Sequence, residues 1–154
     1  MNQPVDDVNQ LAADSGIDIV QLHGDEDNAY MEAVAKPVMK VVHVPAGTTV
    51  DMVMEHQAMA EGGRACAVLL DTKVGGSAAG GTGQTFDWGV ATAIQTGGLP
   101  LFVAGGLKPT NVADAVTTVH PLAVDVSSGV ESDDSGKKDP AMVEAFVHGA
   151  KAAI

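Results

Sequence analysis

The sequence predicts an α/β fold built on one parallel sheet. Three observations support this prediction. Short apolar runs of strand length recur along the chain, segments with helical spacing separate them, and polar or glycine-rich segments follow several of the runs. Strands and helices that alternate in this way form parallel sheets with right-handed crossovers. Because the apolar runs show little polar alternation, we expect the strands to be buried on both faces.

Five apolar runs are candidate strands. Their residues are mainly aliphatic or β-branched, as strand interiors prefer. In chain order the runs are 18–22, 38–42, 65–70, 101–104 and 122–126.

Six segments are candidate helices. The first, 5–14, has apolar residues at helical spacing, and the others are 25–35, 49–61, 87–95, 109–119 and 140–153. Asp87 and Asp139 stand where N-caps are expected, and Pro140 follows Asp139 at the first helical position. The chain is therefore predicted to begin on a helix and to continue with five strand–helix units.

The chain length limits the architecture. The 154 residues fit one domain, whereas a (β/α)₈ barrel takes about 250 residues and rarely fewer than about 200. Five units cannot close such a barrel. The pattern leaves two alternatives: an open five-stranded doubly wound sheet, or part of a barrel whose front units are missing. In both, ligands bind at the carboxyl ends of the strands.

Composition and charge exclude several classes of partner. Eight basic residues against 20 acidic ones give a net charge of −12, and Arg64 is the only arginine. No basic run can follow a phosphate backbone, so we expect neither nucleic acid nor an anionic membrane as a partner. No apolar run approaches the roughly 20 residues of a membrane helix. The first residues lack a signal-peptide pattern, and Cys66 is the only cysteine. We therefore expect a cytoplasmic location.

Four segments that follow predicted strands resemble one family. They are 20–26 (VQLHGDE), 69–71 with 80–88 (LLD and GGTGQTFDW), 104–112 (AGGLKPTNV), and 125–131 (DVSSGVE) with Lys138 and Asp139. In this order they resemble the segments at the fourth, sixth, seventh and eighth strands of the phosphoribosylanthranilate isomerase family. Each alone is weak evidence, but four in order are specific. The resemblance extends over essentially the whole chain.

The resemblance implies both a fold and an activity. The fold would be a partial TIM (β/α)₈ barrel whose strands correspond to the family's fourth to eighth and whose helices correspond to its third to eighth. Residues 1–154 would then form a single domain that lacks the first three βα units. The activity would be the Amadori rearrangement of N-(5-phosphoribosyl)anthranilate to an aminoketose in tryptophan biosynthesis, on a small sugar-phosphate substrate and without a cofactor.

Asp71 is the candidate catalytic residue. It stands where an aliphatic strand meets a glycine-rich segment. In the rearrangement an acid protonates the furanose ring oxygen and a base removes the C2 proton, and the resemblance assigns the acid to Asp71. The alternative is a structural aspartate that accepts hydrogen bonds from backbone N–H groups of the loop.

Glycine and serine pairs at the predicted strand ends are candidate phosphate ligands. Glycines let backbone N–H groups approach an anion, hydroxyls add donors, and a following helix contributes its dipole. Barrels commonly bind phosphate through their last two loops. The alternative is that these glycines only permit tight turns. The candidates are Gly105, Gly106, Ser127, Ser128 and Gly129, with Gly81, Thr82 and Gly83 from the preceding loop.

Two further residues are candidate substrate ligands. His23 and Asp125 each follow a predicted strand, and each has an equally simple structural explanation as a hydrogen-bonded rim residue. The remaining histidines show no ligand spacing along the chain, so we expect no metal site.

The chain departs from the family at its general base. The family's base is a cysteine in a Lys-Ile-Cys-Gly segment, which this sequence does not contain. Cys66 lies five residues before Asp71, roughly 16 Å away at the opposite end of the strand, and is expected to be a small buried side chain. The chain alone is therefore expected to be inactive, to need a complementing chain, or to self-associate through exposed strand edges. The alternative function is a non-catalytic sugar-phosphate-binding module.

Overall fold

Five parallel strands lie side by side in chain order. The computed structural model describes residues 1–45, 65–73, 88–94, 99–132 and 136–154. Neighbouring strands pair in parallel throughout, and the order contains no reversal of the kind that defines a doubly wound sheet. The predicted parallel α/β sheet is confirmed. Its strands are β1 (Val20–Leu22), β2 (Val38–Pro45), β3 (Ala65–Lys73), β4 (Leu101–Val103) and β5 (Ala123–Val124).

Five helices and one 3₁₀ turn accompany the sheet among the described residues. They are α1 (Val5–Ser15), α2 (Asn28–Ala33), α3 (Trp88–Ile94), α4 (Val112–Val119), the 3₁₀ turn Ser128–Val130, and α5 (Pro140–Ala152). The Asp139 cap is confirmed, because its carboxylate accepts hydrogen bonds from the backbone N–H groups of Ala141 and Met142. The predicted helix 49–61 and the Asp87 cap lie outside the described residues.

The narrower fold prediction is corrected. Instead of strands numbered as the fourth to eighth of a partial barrel, the described strands form one five-stranded sheet whose outer members, β1 and β5, each have a single neighbour. The order and pairing of the strands define an α/β fold with a parallel sheet.

The sheet is apolar on both faces, as the unbroken apolar runs predict. On β3, Val68 and Leu70 join the large cluster formed with α3, α4 and α5, whereas Leu69 joins Val41 and Ala104 in a small cluster on the other face. Because side chains alternate along a strand, Asp71 of β3 and His43 of β2 lie on the same face as this small cluster. His43 and Asp71 therefore lie next to the apolar cluster of Val41, Leu69 and Ala104.

A bulge opens β3 at its amino end. Val38 pairs with Ala65 and Met39 pairs with Ala67, so Cys66 is the extra residue. Bulged residues lose their place in the alternation of side chains. The prediction that Cys66 is buried is therefore wrong, since its side chain is exposed.

Candidate active site

The carboxyl ends of the first three strands bring three polar side chains together. His43 and Asp71 stand opposite each other in the register of β2 and β3, and His23 directly follows β1. The Nε2 atom of His23 lies 3.4 Å from the Oδ2 atom of Asp71. Asp71 is buried, with 8% of its surface exposed. The predicted candidates His23 and Asp71 are thus in contact.

His43 completes this cluster and was not predicted. Its Nε2 atom lies 3.2 Å from the carbonyl oxygen of His23, to which a protonated Nε2 donates. The two imidazole rings are tilted against each other with centroids 4.8 Å apart. His43 follows the apolar run 38–42 just as Asp71 follows the run 65–70. It was missed because the search for ligand residues considered only their spacing along the chain.

Gly105 brings the turn after β4 against Asp71. Its φ of +79° is in the left-handed region, and a Cβ at this position would lie 2.7 Å from the Oδ1 atom of Asp71 and would clash with the backbone nitrogen of Thr72. The hydroxyl of Thr72 donates to the carbonyl oxygen of Gly105 at 3.4 Å. Only glycine permits so close an approach. The catalytic candidate and a phosphate candidate therefore share one site.

Asn111 shapes the turn that contains Gly106. Its amide nitrogen donates to the carbonyl oxygen of Gly106 at 3.1 Å, and its Oδ1 atom accepts from the backbone nitrogen of Lys108 at 2.8 Å. Gly106 has a φ of +65°. Because Asn111 is engaged in this turn, the helix predicted from residue 109 begins instead at Val112.

The turn after β5 packs directly on the turn after β4. A Cβ on Gly129 would overlap the carbonyl oxygen of Leu107 and would lie 3.2 Å from a methyl carbon of Val126. The 3₁₀ turn that begins at Ser128 is therefore held beside the glycine turn of β4. The candidates Gly105, Gly106, Ser128 and Gly129 belong to two turns in contact.

Ser127 is held by a cation. The ammonium of Lys138 donates to the carbonyl oxygen of Ser127 at 3.0 Å and to its hydroxyl oxygen at 3.1 Å, and also pairs with Glu131. Hydrogen bonds from Lys138 and from the backbone of Gly136 hold the pKa of the Glu131 carboxyl below its usual value. The hydroxyl hydrogen of Ser127 stays available to donate.

The other predicted residues are less closely tied to this site. Asp125 is exposed at the carboxyl end of β5, where its backbone nitrogen donates to the carbonyl oxygen of Val103 at 2.9 Å. Gly81, Thr82 and Gly83 lie outside the described residues.

A buried ion pair fixes the loop that carries His23. Glu26 lies 3.0 Å from the ammonium of Lys40, and it accepts from the backbone nitrogens of Asn2 and Gly24 at 2.9 and 2.8 Å. Burial raises the pKa of Glu26, but the hydrogen bonds from Asn2 and Lys40 more than offset this and lower it to about 2. The sequence analysis did not predict this ion pair between Glu26 and Lys40.

The fold and the site together define a class of protein. A parallel α/β sheet that gathers a buried acid, histidines and contacting glycine turns at the carboxyl ends of its strands is typical of α/β enzymes that bind anionic small molecules. None of the described helices has the length and apolar character to cross a membrane.

Comparison with known proteins identifies the family. Residues 1–149 match the family described as N-(5'phosphoribosyl)anthranilate (PRA) isomerase. The N-(5'-phosphoribosyl)anthranilate isomerase of Geobacter metallireducens is 44% identical over 152 residues, which cover 99% of this chain and 70% of the relative. The chain belongs to the N-(5'-phosphoribosyl)anthranilate isomerase family, and the resemblance inferred from the four segments is confirmed.

Solved structures agree with this assignment. Phosphoribosyl anthranilate isomerase from Thermotoga maritima has a TM-score of 0.84 and 34% identity, over 99% of this chain and 70% of that chain. A second isomerase structure, with a TM-score of 0.79 and 31% identity over 98% of this chain and 68% of that chain, is a complex with reduced 1-(o-carboxyphenylamino)-1-deoxyribulose 5-phosphate. The Geobacter metallireducens and Thermotoga maritima matches each cover 99% of this chain. Its five strands are therefore numbered in their own chain order, and their numbering as the fourth to eighth strands of a partial barrel was wrong.

Proposed function

We propose that this chain catalyses the isomerisation of N-(5-phosphoribosyl)anthranilate to its 1-deoxyribulose 5-phosphate aminoketose in tryptophan biosynthesis. Membership of the isomerase family supports the reaction. The single observation that carries the proposal is the contact between Asp71 and the Gly105 turn, because the reaction needs an acid beside a phosphate-binding backbone.

Asp71 is the proposed general acid. Its carboxylic proton passes to the furanose ring oxygen as the C1–O bond breaks, which leaves an open-chain iminium. A base then removes the C2 proton, and the resulting enolamine tautomerises to the aminoketose. The nearby Nε2 atom of His23, when protonated, donates toward Oδ2 of Asp71 and stabilises the carboxylate left after proton transfer.

The two contacting turns are the proposed phosphate site. Gly105, Gly106, Ser128 and Gly129 would supply backbone N–H groups, and Ser127 a hydroxyl, with Gly81, Thr82 and Gly83 proposed from the loop outside the described residues. The ammonium of Lys138 holds Ser127 in place, but its charge is balanced by the paired carboxylate of Glu131, so the phosphate would be bound mainly by N–H and hydroxyl donors. His23 and Asp125 are the proposed contacts to the rest of the substrate.

Among the described residues, no cysteine lies beside Asp71 to act as the general base that the family uses. The sequence has no Lys-Ile-Cys-Gly segment, and Cys66 is exposed at the opposite end of β3 from Asp71. We therefore propose that the chain alone binds substrate and retains the acid but turns over slowly. A base contributes about 10²–10⁴-fold in rate, and the turnover of the chain is expected to be reduced by that factor relative to its relatives.

The test combines an isomerase assay of the 154-residue chain with calorimetry of its binding to reduced 1-(o-carboxyphenylamino)-1-deoxyribulose 5-phosphate, the reduced product analogue bound in the second isomerase structure. Asp71→Asn should lower the remaining turnover by about 10³-fold while leaving analogue affinity nearly unchanged, because asparagine has the same shape but no transferable proton. Asp114→Asn, an exposed change on α4, is the matched control.

Each outcome of this test is informative. Turnover of Asp71→Asn within about tenfold of the parent would show that Asp71 is not the acid. Turnover of the unaltered chain at the full rate of its relatives would show that another residue serves as base. Analogue binding without any turnover would favour the sugar-phosphate-binding module.

The remaining partner and location assignments also belong to this proposal. A small sugar phosphate is the proposed ligand, with no nucleic acid or membrane partner and a cytoplasmic location. The comparisons give no support to a complementing chain. Self-association through the edges of the sheet stays a prediction.

A further inference from the structure

The cluster of His23, His43 and Asp71 has the composition of a transition-metal site. One donor atom from each residue lies within 4.8 Å of the others. The three side chains come from the ends of three adjacent parallel strands, so the sheet and not the spacing along the chain brings them together. Two imidazoles and one carboxylate suit zinc and its first-row neighbours, whereas magnesium and calcium prefer oxygen ligands alone.

The distances fit tetrahedral coordination. Metal–ligand bonds of about 2.0–2.1 Å place tetrahedral ligand atoms about 3.3 Å apart. The Nε2 atom of His23 and the Oδ2 atom of Asp71 are 3.4 Å apart, which matches this spacing without movement. The largest separation in the cluster is 4.8 Å, so binding of zinc requires the side chains to move together by about 1.5 Å.

The donor atoms are available. The Nε2 atom of His23 is buried and has no hydrogen-bond partner, a state that few buried polar atoms in proteins adopt. The Nε2–H of His43 donates to the carbonyl oxygen of His23, which leaves the lone pair on Nδ1. A hydrogen bond from one ring nitrogen to a backbone carbonyl is the usual second contact of a metal-binding histidine.

Gln21 can set the tautomer of His23. Its side-chain amide lies 3.5 Å from the Nδ1 atom of His23 and is exposed. A half-turn of that amide exchanges its nitrogen and oxygen. The Nδ1–H of His23 then donates to the Gln21 oxygen, and Nε2 presents its lone pair toward Asp71.

We propose that His23, His43 and Asp71 bind one zinc ion, with the fourth coordination position open to water. The zinc ion coordinates the carboxylate of Asp71, which the proposed function assigns as the general acid. Zinc therefore competes with proton donation by Asp71 and inhibits isomerisation. The inhibition rests on the proposed function, but zinc binding does not.

The test is zinc titration of the full chain by calorimetry, with cobalt absorption spectra as a second measurement. We expect one zinc per chain, tetrahedral cobalt bands without a sulfur charge-transfer band, and no binding of magnesium. His43→Gln should weaken zinc binding about tenfold or more, and so should Asp71→Asn. A thermal melt checks that each variant is folded.

Two control variants separate this site from adventitious binding. His148→Gln removes an exposed histidine on α5, and Cys66→Ser removes the exposed thiol. Both should leave zinc affinity unchanged. Absence of saturable binding, or equal zinc affinity in the parent and His43→Gln, would overturn the proposal. Saturable binding without inhibition of measurable turnover would leave the metal site standing and count against Asp71 as the acid.

Discussion

Glu26 shows how a single residue fixes the geometry of the site. Its carboxylate joins the amino-terminal residue Asn2, the loop residue Gly24 and the strand residue Lys40. The ammonium of Lys40 also donates to the carbonyl oxygen of Gly24 at 2.6 Å. Because Gly24 is the immediate neighbour of His23, this ion pair restrains the histidine that contacts Asp71.

The depressed pKa of Glu26 predicts a pH dependence of stability. A carboxyl with a folded-state pKa of about 2, against an ordinary value of 4.5, stabilises the fold fully above the ordinary value. That stabilisation is lost as the pH falls from about 4.5 to about 2. Urea unfolding at several pH values should show a larger loss in the parent chain than in Glu26→Gln, which lacks the contribution of Glu26 but keeps that of Glu131.

The same variant should be less stable at neutral pH. Glu26→Gln leaves the mostly buried ammonium of Lys40 without a counter-charge, at a cost of about 3 kcal/mol. Glu144→Gln, on the exposed face of α5, should change stability by no more than about 0.5 kcal/mol. Equal acid sensitivity of the parent and Glu26→Gln would contradict the assignment.

Gly105 carries two separable constraints, a left-handed backbone and a close approach. Gly16 shares the first, with a φ of +66°, but a Cβ added there would have no atom within 4 Å. Gly16→Ala should therefore cost about 1 kcal/mol. Gly105→Ala should cost about 1–3 kcal/mol more, since its methyl group meets Thr72 and Asp71. Paired urea unfolding measures the difference, and equal losses would show that the contact has no energetic role.

The sequence predicted the positions of those site residues that directly follow a strand, because all strands of a parallel sheet end at the same edge. Asp71 and His23 were placed at the correct end of the sheet because each follows an apolar run. His43 was missed because proximity along the chain was used as the criterion for a cluster. Cys66 was misjudged because a bulge, which depends on the pairing of two strands, has no signature in one strand alone.

Contact between two turns is the feature that makes the phosphate candidates one site. Gly129→Ala would force its methyl group against the carbonyl of Leu107, so the turns must separate. We expect the affinity for the reduced product analogue to fall about tenfold, a loss of about 1.4 kcal/mol. Glu144→Gln, on the exposed face of α5, should retain affinity in the same calorimetric measurement.

The elements themselves were predicted well at their centres and less well at their ends. The strand centred on 122–126 is only two residues long, Ala123–Val124, because β5 pairs with the three-residue strand β4 alone. The helix predicted from residue 109 begins at Val112, since Asn111 binds the preceding turn. Ends depend on partners elsewhere in the chain, which local patterns do not contain.

Among the described strands, β1 and β5 each have one edge without a neighbour, and these edges bear on the behaviour of the whole molecule. Ile19 precedes β1 and is 47% exposed, and Leu122 precedes β5 and is 70% exposed. A cavity of about 280 Å³, lined in part by Leu11, Ile17 and Val20, lies beside β1. Unpaired strand edges with apolar surroundings favour pairing with another chain.

We therefore predict that the chain self-associates, and more strongly as salt screens its negative charge. Sedimentation velocity over a range of concentrations measures the association. Ile19→Lys should weaken it, whereas Val147→Lys, at a 43% exposed position on α5, should not. A monomer at all concentrations and salt levels would contradict the prediction.

The bulge in β3 leaves the thiol of Cys66 exposed, where it can be labelled. As the only cysteine, it accepts one thiol-directed fluorophore or surface tether at the amino end of β3, about 16 Å along the strand from Asp71. A chain attached there would present the carboxyl ends of its strands to solution in a uniform orientation, and an attached dye would report ligand binding without occupying the candidate site.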